Sequence, residues 1–186
     1  MGEDSYAVVS YIPGRLGNLI DSLRRRFDPG LAAWLAHVTV LSPRPLPESL
    51  EISLEAVRQQ SASFEPFDVT ISHVESFWPV SGVVYLGISD GADRLAQLHD
   101  SLNAGPLAYT EPHSYVPHVT IAQELSLLEK NTVMEEVRLE WARYAAESSF
   151  HVESLFLVKK TPENRWIDLA PIPLGGRFAH SSITVV

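Results

Sequence analysis

The apolar positions of this chain switch between two spacings. YAVVSYI (6–12) is a nearly continuous apolar run ended by Pro13-Gly14, the pattern of a buried strand. Leu16, Leu19, Ile20, Leu23 and Phe27 then recur three and four residues apart, which predicts a helix, and Asp28-Pro29-Gly30 stops it. HVTVL (37–41) reads as a strand. After the proline-rich SPRPLP (42–47), Leu46, Leu50, Leu54 and Val57 mark a second helix, and FDVTISHV (67–74) alternates as a half-buried strand does.

The same order then recurs. VVYLGI (83–88) is a strand, Asp90 is placed to cap a helix carrying Leu95, Leu98 and Leu102, and HVTIA (118–122) follows. Val133, Val137, Trp141 and Tyr144 line a further helix, and FHVESLFLV (150–158) closes the unit as a strand. The two His-x-Thr strands lie 81 residues apart, with a similar period of about 77 for the opening strands and about 83 for the closing ones. This period points to duplication of one unit, with lobe-forming repeats at about 6–75 and 82–158. The fold class expected is α/β (α+β): a single bilobal domain over 1–186, two lobes related by a pseudo-two-fold axis, each with an antiparallel-rich sheet and two helices, and a central groove. RWIDLAPIPLG (165–175) is left as a final edge strand, where its prolines are tolerated. The tail RFAHSSITVV (177–186) carries no assignment.

The repeated triplet is where chemistry enters. With 7 threonines in 186 residues, seven histidines give an expectation of roughly 0.26 His-x-Thr triplets by chance. Two are present, each with Val in the middle, so coincidence is a poor explanation. On a strand, residues i and i+2 share a face. His37 and Thr39 therefore project together, as do His118 and Thr120, while Val38, Val40, Val119 and Ile121 bury on the other side. If both strands line one cleft, it holds two imidazoles and two hydroxyls in mirrored positions. One neutral imidazole can take a proton from water while the other, protonated, gives one to a departing oxygen. The threonines can donate to the non-bridging oxygens of a phosphate. Neither copy supplies a carboxylate or second histidine at ligand spacing, so no metal and no cofactor is expected.

The other five histidines read as ordinary. His73 and His151 occupy matching places in the closing strands, His99 lies on a helix and His180 in the tail. His113, in the loop EPHSYVPH (111–118), is kept as a candidate substrate contact.

Composition narrows the partners. At 45% hydrophobic and 20% charged, the chain has the profile of an ordinary globular protein, with no apolar run of membrane-spanning length. The N-terminal MGEDSY lacks the basic-then-apolar pattern of a secretory signal. With no cysteine, disulfides, thiolate metal sites and a cysteine nucleophile are excluded, and a cytoplasmic location is the default expectation. The net charge of −9 argues against a long duplex nucleic acid and favours a small nucleotide or an RNA end. Arg24 to Arg26 read as a solvated helix face. Oligomeric state is left open.

At HVTVL, at YVPHVTIA (115–122) and in the ending FHVESLFLVKKTPENRWIDLAPIPLG (150–175), the chain resembles the two-histidine phosphoesterase superfamily, and within it the 2′-5′ RNA ligase family, which includes RNA 2′,3′-cyclic phosphodiesterases. The resemblance spans roughly Tyr6 to Leu174. It implies His37 and His118 as the catalytic pair, with His118 as base and His37 as acid, and Thr39 and Thr120 as phosphate ligands. It also implies metal-independent opening of a 2′,3′-cyclic phosphate on a nucleotide or RNA terminus, and 2′-5′ ligation as the reverse. Relatives often carry an arginine just after the second motif, where this chain has Gln123 and Glu124. Arg44 could steer a phosphate, and Tyr115, with Tyr11, Trp78 and Tyr85 behind it, could stack on a base. The alternative reading is a module that binds a nucleotide or RNA end in the same groove without turnover; both intact polar pairs argue for catalysis.

Overall fold

The computed structural model describes residues 4–144, 147–163 and 165–176, so the tail from Arg177, with His180, lies outside the described residues. In the first repeat, strand β1 (Ser5–Tyr11) is followed by helix α1 (Gly14–Phe27), β2 (His37–Arg44), α2 (Leu50–Ala62) and β3 (Phe67–Ser76). The second repeat runs β4 (Val84–Ile88), α3 (Ala92–Leu102), β5 (His118–Ala122), α4 (Leu127–Arg143), β6 (Ser149–Val152) and β7 (Ser154–Lys160), and β8 (Trp166–Pro173) ends the described chain.

Two four-stranded antiparallel sheets result, in the orders β2-β1-β7-β8 and β5-β4-β3-β6. The duplicated α/β architecture expected from the sequence is present. The lobes, however, are not the contiguous repeats 6–75 and 82–158. Each repeat lends its third strand to the other's sheet: β3 pairs with β4, and β7 pairs with β1. The run FHVESLFLV achieves this by serving both sheets. It breaks at Glu153, with β6 on β3 before the break and β7 on β1 after it. The last strand, β8, is an edge as expected, and Pro171 and Pro173 lie on it.

The helices interlock as well. The first-repeat helix α1 packs on β5 of the second sheet, and the second-repeat helix α3 packs on β2 of the first. The apolar stripes Leu16-Ile20-Leu23, Leu95-Leu98-Leu102 and Val133-Val137 therefore share one core with Val38, Val40, Val119 and Ile121. Burial of this continuous core, rather than helix propensity, is what holds the halves together.

Two helix starts differ from expectation. Asp90 does not cap α3; the N-cap is Gly91 in the left-handed region at φ 81°, and a Cβ there would lie 2.5 Å from the Asp68 carbonyl oxygen. The turn is too tight for a side chain, so glycine takes the place of a polar cap. Helix α2 begins after Leu46, at Leu50, because Ser49 caps it by accepting from the Ile52 amide. Among the described residues, no helix is long and apolar enough to cross a membrane.

Candidate active site

Strands β2 and β5 are the inner edges of the two sheets and lie against each other. The triplets are thus brought together from separate halves. Their Val and Ile residues bury in the shared core, and Thr39 and Thr120 stay partly exposed on the opposite face.

Both imidazoles are held in the same way. His37 Nδ1 lies 2.6 Å from the Leu35 carbonyl oxygen, and His118 Nδ1 lies 2.7 Å from that of Val116, in each case the residue two before the histidine. A carbonyl only accepts, so Nδ1 carries the proton and donates it, and Nε2 is left with the lone pair. The sequence preceding each motif is repeated too, with Trp34 and Tyr115 each three residues ahead of a histidine.

Around these rings the walls are aromatic. Trp34 packs against His37 at 3.8 Å between centroids with the rings tilted by 36°, and stacks on Trp166 at 4.4 Å, while Tyr11 meets His37 edge-on. Phe77 meets His118 edge-on at 4.9 Å, and Tyr85 packs beneath both. His37 is only 4% exposed; His118 is more open and, with Thr39, lines a cleft of about 580 Å³.

Burial lowers the proton affinity of both imidazoles. Desolvation holds His37 well below the ordinary range, with the Arg24 cation adding to it and the nearby His118 contributing further. His118 is lowered in the same direction, by desolvation first and by the Arg24 cation, while its hydrogen bond to Val116 works the other way.

Arg24 overturns the reading of the basic run. It is fully buried rather than solvated: its Nε donates to the Thr120 carbonyl at 2.9 Å, and Nη1 donates to those of Trp34 and Leu35 at 3.1 and 3.0 Å. Only Arg25 and Arg26 face outward. The reason is positional, since residue 24 continues the buried stripe Leu16-Gly17-Ile20-Leu23.

The expected phosphate-steering role for Arg44 does not hold. Arg44 is 3% exposed, ion-paired to Glu111, and donates to Asn103 Oδ1 at 2.6 Å and to the Ser42 carbonyl at 2.9 Å. It fastens the loop after α3 to the end of β2. Tyr115 lines the cleft, but its ring lies flat on His99 at 4.0 Å and its hydroxyl donates to the Thr39 carbonyl at 2.8 Å, so it braces the site from within. His113 is exposed on the same cleft. Tyr11 donates to the Asp168 carboxylate, and burial with that bond pushes its phenol up. The Tyr85 phenol, pushed up to about 12 by burial and Glu75, donates to Glu75. Trp78 is exposed and is not among the residues lining the cleft.

Some groups escaped the sequence reading. Phe77 and Trp34 form walls against the histidines. His73 pairs in register with Gly87, which pairs with His118, and the imidazole of His73 fills the space over that glycine; a Cβ on Gly87 would lie 2.5 Å from it. The backbone N–H of Gln123 donates to the Asp28 carboxylate, and Glu124 takes a left-handed φ of 58°, so the chain turns away right after the second motif. Among the described residues, no three His, Asp or Glu side chains are grouped to hold a metal ion.

Comparison with known proteins shows the family and the fold. The chain matches the family model described as the 2'-5' RNA ligase superfamily over residues 12–164. A protein of Bacillus licheniformis provisionally named as a phosphoesterase is 32% identical over 136 residues, covering 72% of this chain and 79% of its own. One of Geobacillus kaustophilus with the same provisional name is 25% identical over 173 residues, covering 92% and 97%. Among solved structures, Escherichia coli LigT complexed with 3'-AMP superposes with a TM-score of 0.63 at 17% identity, covering 93% of this chain and 99% of that one. Kluyveromyces marxianus Usb1 gives 0.55 at 13% identity, covering 92% and 99%.

Proposed function

Because the chain belongs to the 2'-5' RNA ligase superfamily of two-histidine phosphoesterases, we propose that it hydrolyses 2′,3′-cyclic phosphates on nucleotides or RNA termini without a metal. One observation carries this reading: each motif histidine ties its Nδ1 to the carbonyl two residues back, which leaves two Nε2 atoms from opposite halves as the available proton carriers. An acid and a base of the same chemical kind suit a reaction in which one oxygen loses a proton and another gains one.

The difference in burial supports the opposite assignment of acid and base to that implied by the family resemblance. His37, the more deeply buried, resists protonation more and suits the base; His118, nearer solvent, takes a proton more readily and suits the acid. Water attacks phosphorus as its proton passes to His37 Nε2. The bond from phosphorus to one ribose oxygen breaks, and that oxygen takes the proton from His118 Nε2. The product is a phosphomonoester, and solvent exchange resets the two imidazoles. Thr39 and Thr120 donate hydroxyl hydrogen bonds to the non-bridging oxygens. A ribose hydroxyl in place of water gives the reverse, 2′-5′ ligation. The acidic surface suits a short substrate that brings few phosphates. The aromatic ring of Phe77, on the cleft beside His118, offers a face to its base.

The test is to incubate the protein with each of the four 2′,3′-cyclic nucleotides in the presence of chelator and follow phosphorus by NMR. A cyclic resonance converting to a phosphomonoester supports the reading. Saturable binding with no conversion would replace it with a binding module.

A further inference from the structure

Arg24 is the least expected residue in the molecule. A cation at zero exposure has lost its hydration, and the desolvation lowers its proton affinity to about 10, which still leaves it charged at neutral pH. An apolar side chain of similar volume would fill the same space more cheaply. What it could not supply is the fork of donors. Nε reaches the Thr120 carbonyl inside the second motif, and Nη1 reaches the Trp34 and Leu35 carbonyls just ahead of the first. The Leu35 oxygen is the same atom that accepts from His37 Nδ1. One guanidinium therefore grips both halves of the site, and on the first side it grips the acceptor that orients the histidine.

The tether spans two sheets that share no strand pairing, since β2 and β5 are the facing edges. Helix α1 is well placed to carry it, because it comes from the first repeat and packs on β5 of the second sheet. The charged groups bearing on the guanidinium are Asp21 and Asp28, which favour its charge, and the imidazoles of His37 and His118, whose protonation it disfavours.

We propose that Arg24 is the positioning residue of the site, locking the two His-x-Thr strands at the spacing that a single phosphate requires. It touches neither substrate nor reacting atoms and acts through the Leu35 and Thr120 carbonyls. The role as a catalytic aid rests on the hydrolase reading above, but the lock itself is testable without turnover.

The experiment compares Arg24→Met and Arg24→Lys with the unaltered protein by NMR, with imidazole titrations of His37 and His118 and exposed His151 as internal reference. In Arg24→Met both motif histidines are expected to titrate higher, with the His151 signal as the unmoved reference. Arg24→Lys retains the charge but cannot span three carbonyls; its midpoints stay near those of the unaltered protein. Its backbone amide signals should nonetheless shift at both Leu35–His37 and Val119–Ile121. Where the protein turns over a cyclic nucleotide, kcat should fall about 10-fold or more in the lysine variant with KM little changed. Amide shifts confined to α1 in Arg24→Lys, or unchanged midpoints in a folded Arg24→Met, would overturn the proposal. If Arg24→Met does not fold, the lysine amide map decides alone. If the unaltered protein has no turnover, the hydrolase reading fails while the NMR arms still judge the lock.

Discussion

Glu111→Ala tests how the cleft wall is held. The side chain of Arg44 is 2% exposed and that of Glu111 12%, so the pair is largely out of water. Removing one partner of a buried pair typically costs about 3–5 kcal/mol, because the other is left as an uncompensated charge. Two observations push the cost here to the lower end. Arg44 keeps acceptors in Asn103 Oδ1 and the Ser42 carbonyl, and Glu111 sits on a loop that can relax. The expected loss is about 3 kcal/mol. Urea unfolding at pH 7.5, followed by tryptophan fluorescence, measures it, with an unchanged m-value as the check that only stability moved. The double variant Arg44→Met/Glu111→Leu should return to within about 1 kcal/mol of the parent, since apolar replacement removes both desolvation costs. Its KM for a cyclic nucleotide should stay within about threefold, because Arg44 meets Glu111 rather than phosphate; that tolerance corresponds to about 0.65 kcal/mol. A loss below about 1 kcal/mol in Glu111→Ala, or strict additivity in the double variant, would refute the reasoning.

Gly→Ala inside a helix ordinarily stabilises by about 1 kcal/mol; at Gly17, in the first turn of α1, the new Cβ would lie 2.0 Å from the Ile12 carbonyl oxygen, so thermal unfolding of Gly17→Ala should show a loss of about 1–3 kcal/mol instead. As pH falls below about 6.5, the unfolded chain takes up protons on His37 and His118 while the folded chain holds both neutral to lower pH. The unfolded state then binds more protons, so stability falls with falling pH by up to about 1.4 kcal/mol per pH unit for each histidine. Replacing both by Asn should flatten the slope between pH 6.5 and 5. A p-nitrophenyl phosphodiester, whose leaving group needs no proton, should restore most of the rate lost in His118→Ala and little of that lost in His37→Ala; the reverse pattern would exchange the acid and base.

What could be read from the sequence was whatever depends on period and repetition. Alternation placed Val38 and Val119 inward and both histidines on the other face, and repetition marked β2 and β5 as equivalent strands, which fold against each other. Strand partnership was not legible, because a period of two assigns faces and says nothing of neighbours; hence the exchange of β3 and β7 between sheets. Arg24 was legible but misread. Its spacing from Ile20 and Leu23 puts it on the buried stripe, and only treating the three arginines as one block hid that. Trp34 could have been found by carrying Tyr115's offset of three residues back to the first motif. Arg44 gave no such signal, since its partner Glu111 is 67 residues away and the pairing is made only by folding.

Two imidazoles acting in one transition state are the centre of the proposed reaction, and the turnover of a 2′,3′-cyclic nucleotide by His37→Ala, His118→Ala and the double variant tests this most directly. Each single change should lower kcat/KM by roughly 10² to 10⁴-fold, and the double should fall little further than the worse single, as groups that act as a unit do. Single variants that keep the parental rate, or losses that simply multiply in the double, would contradict it.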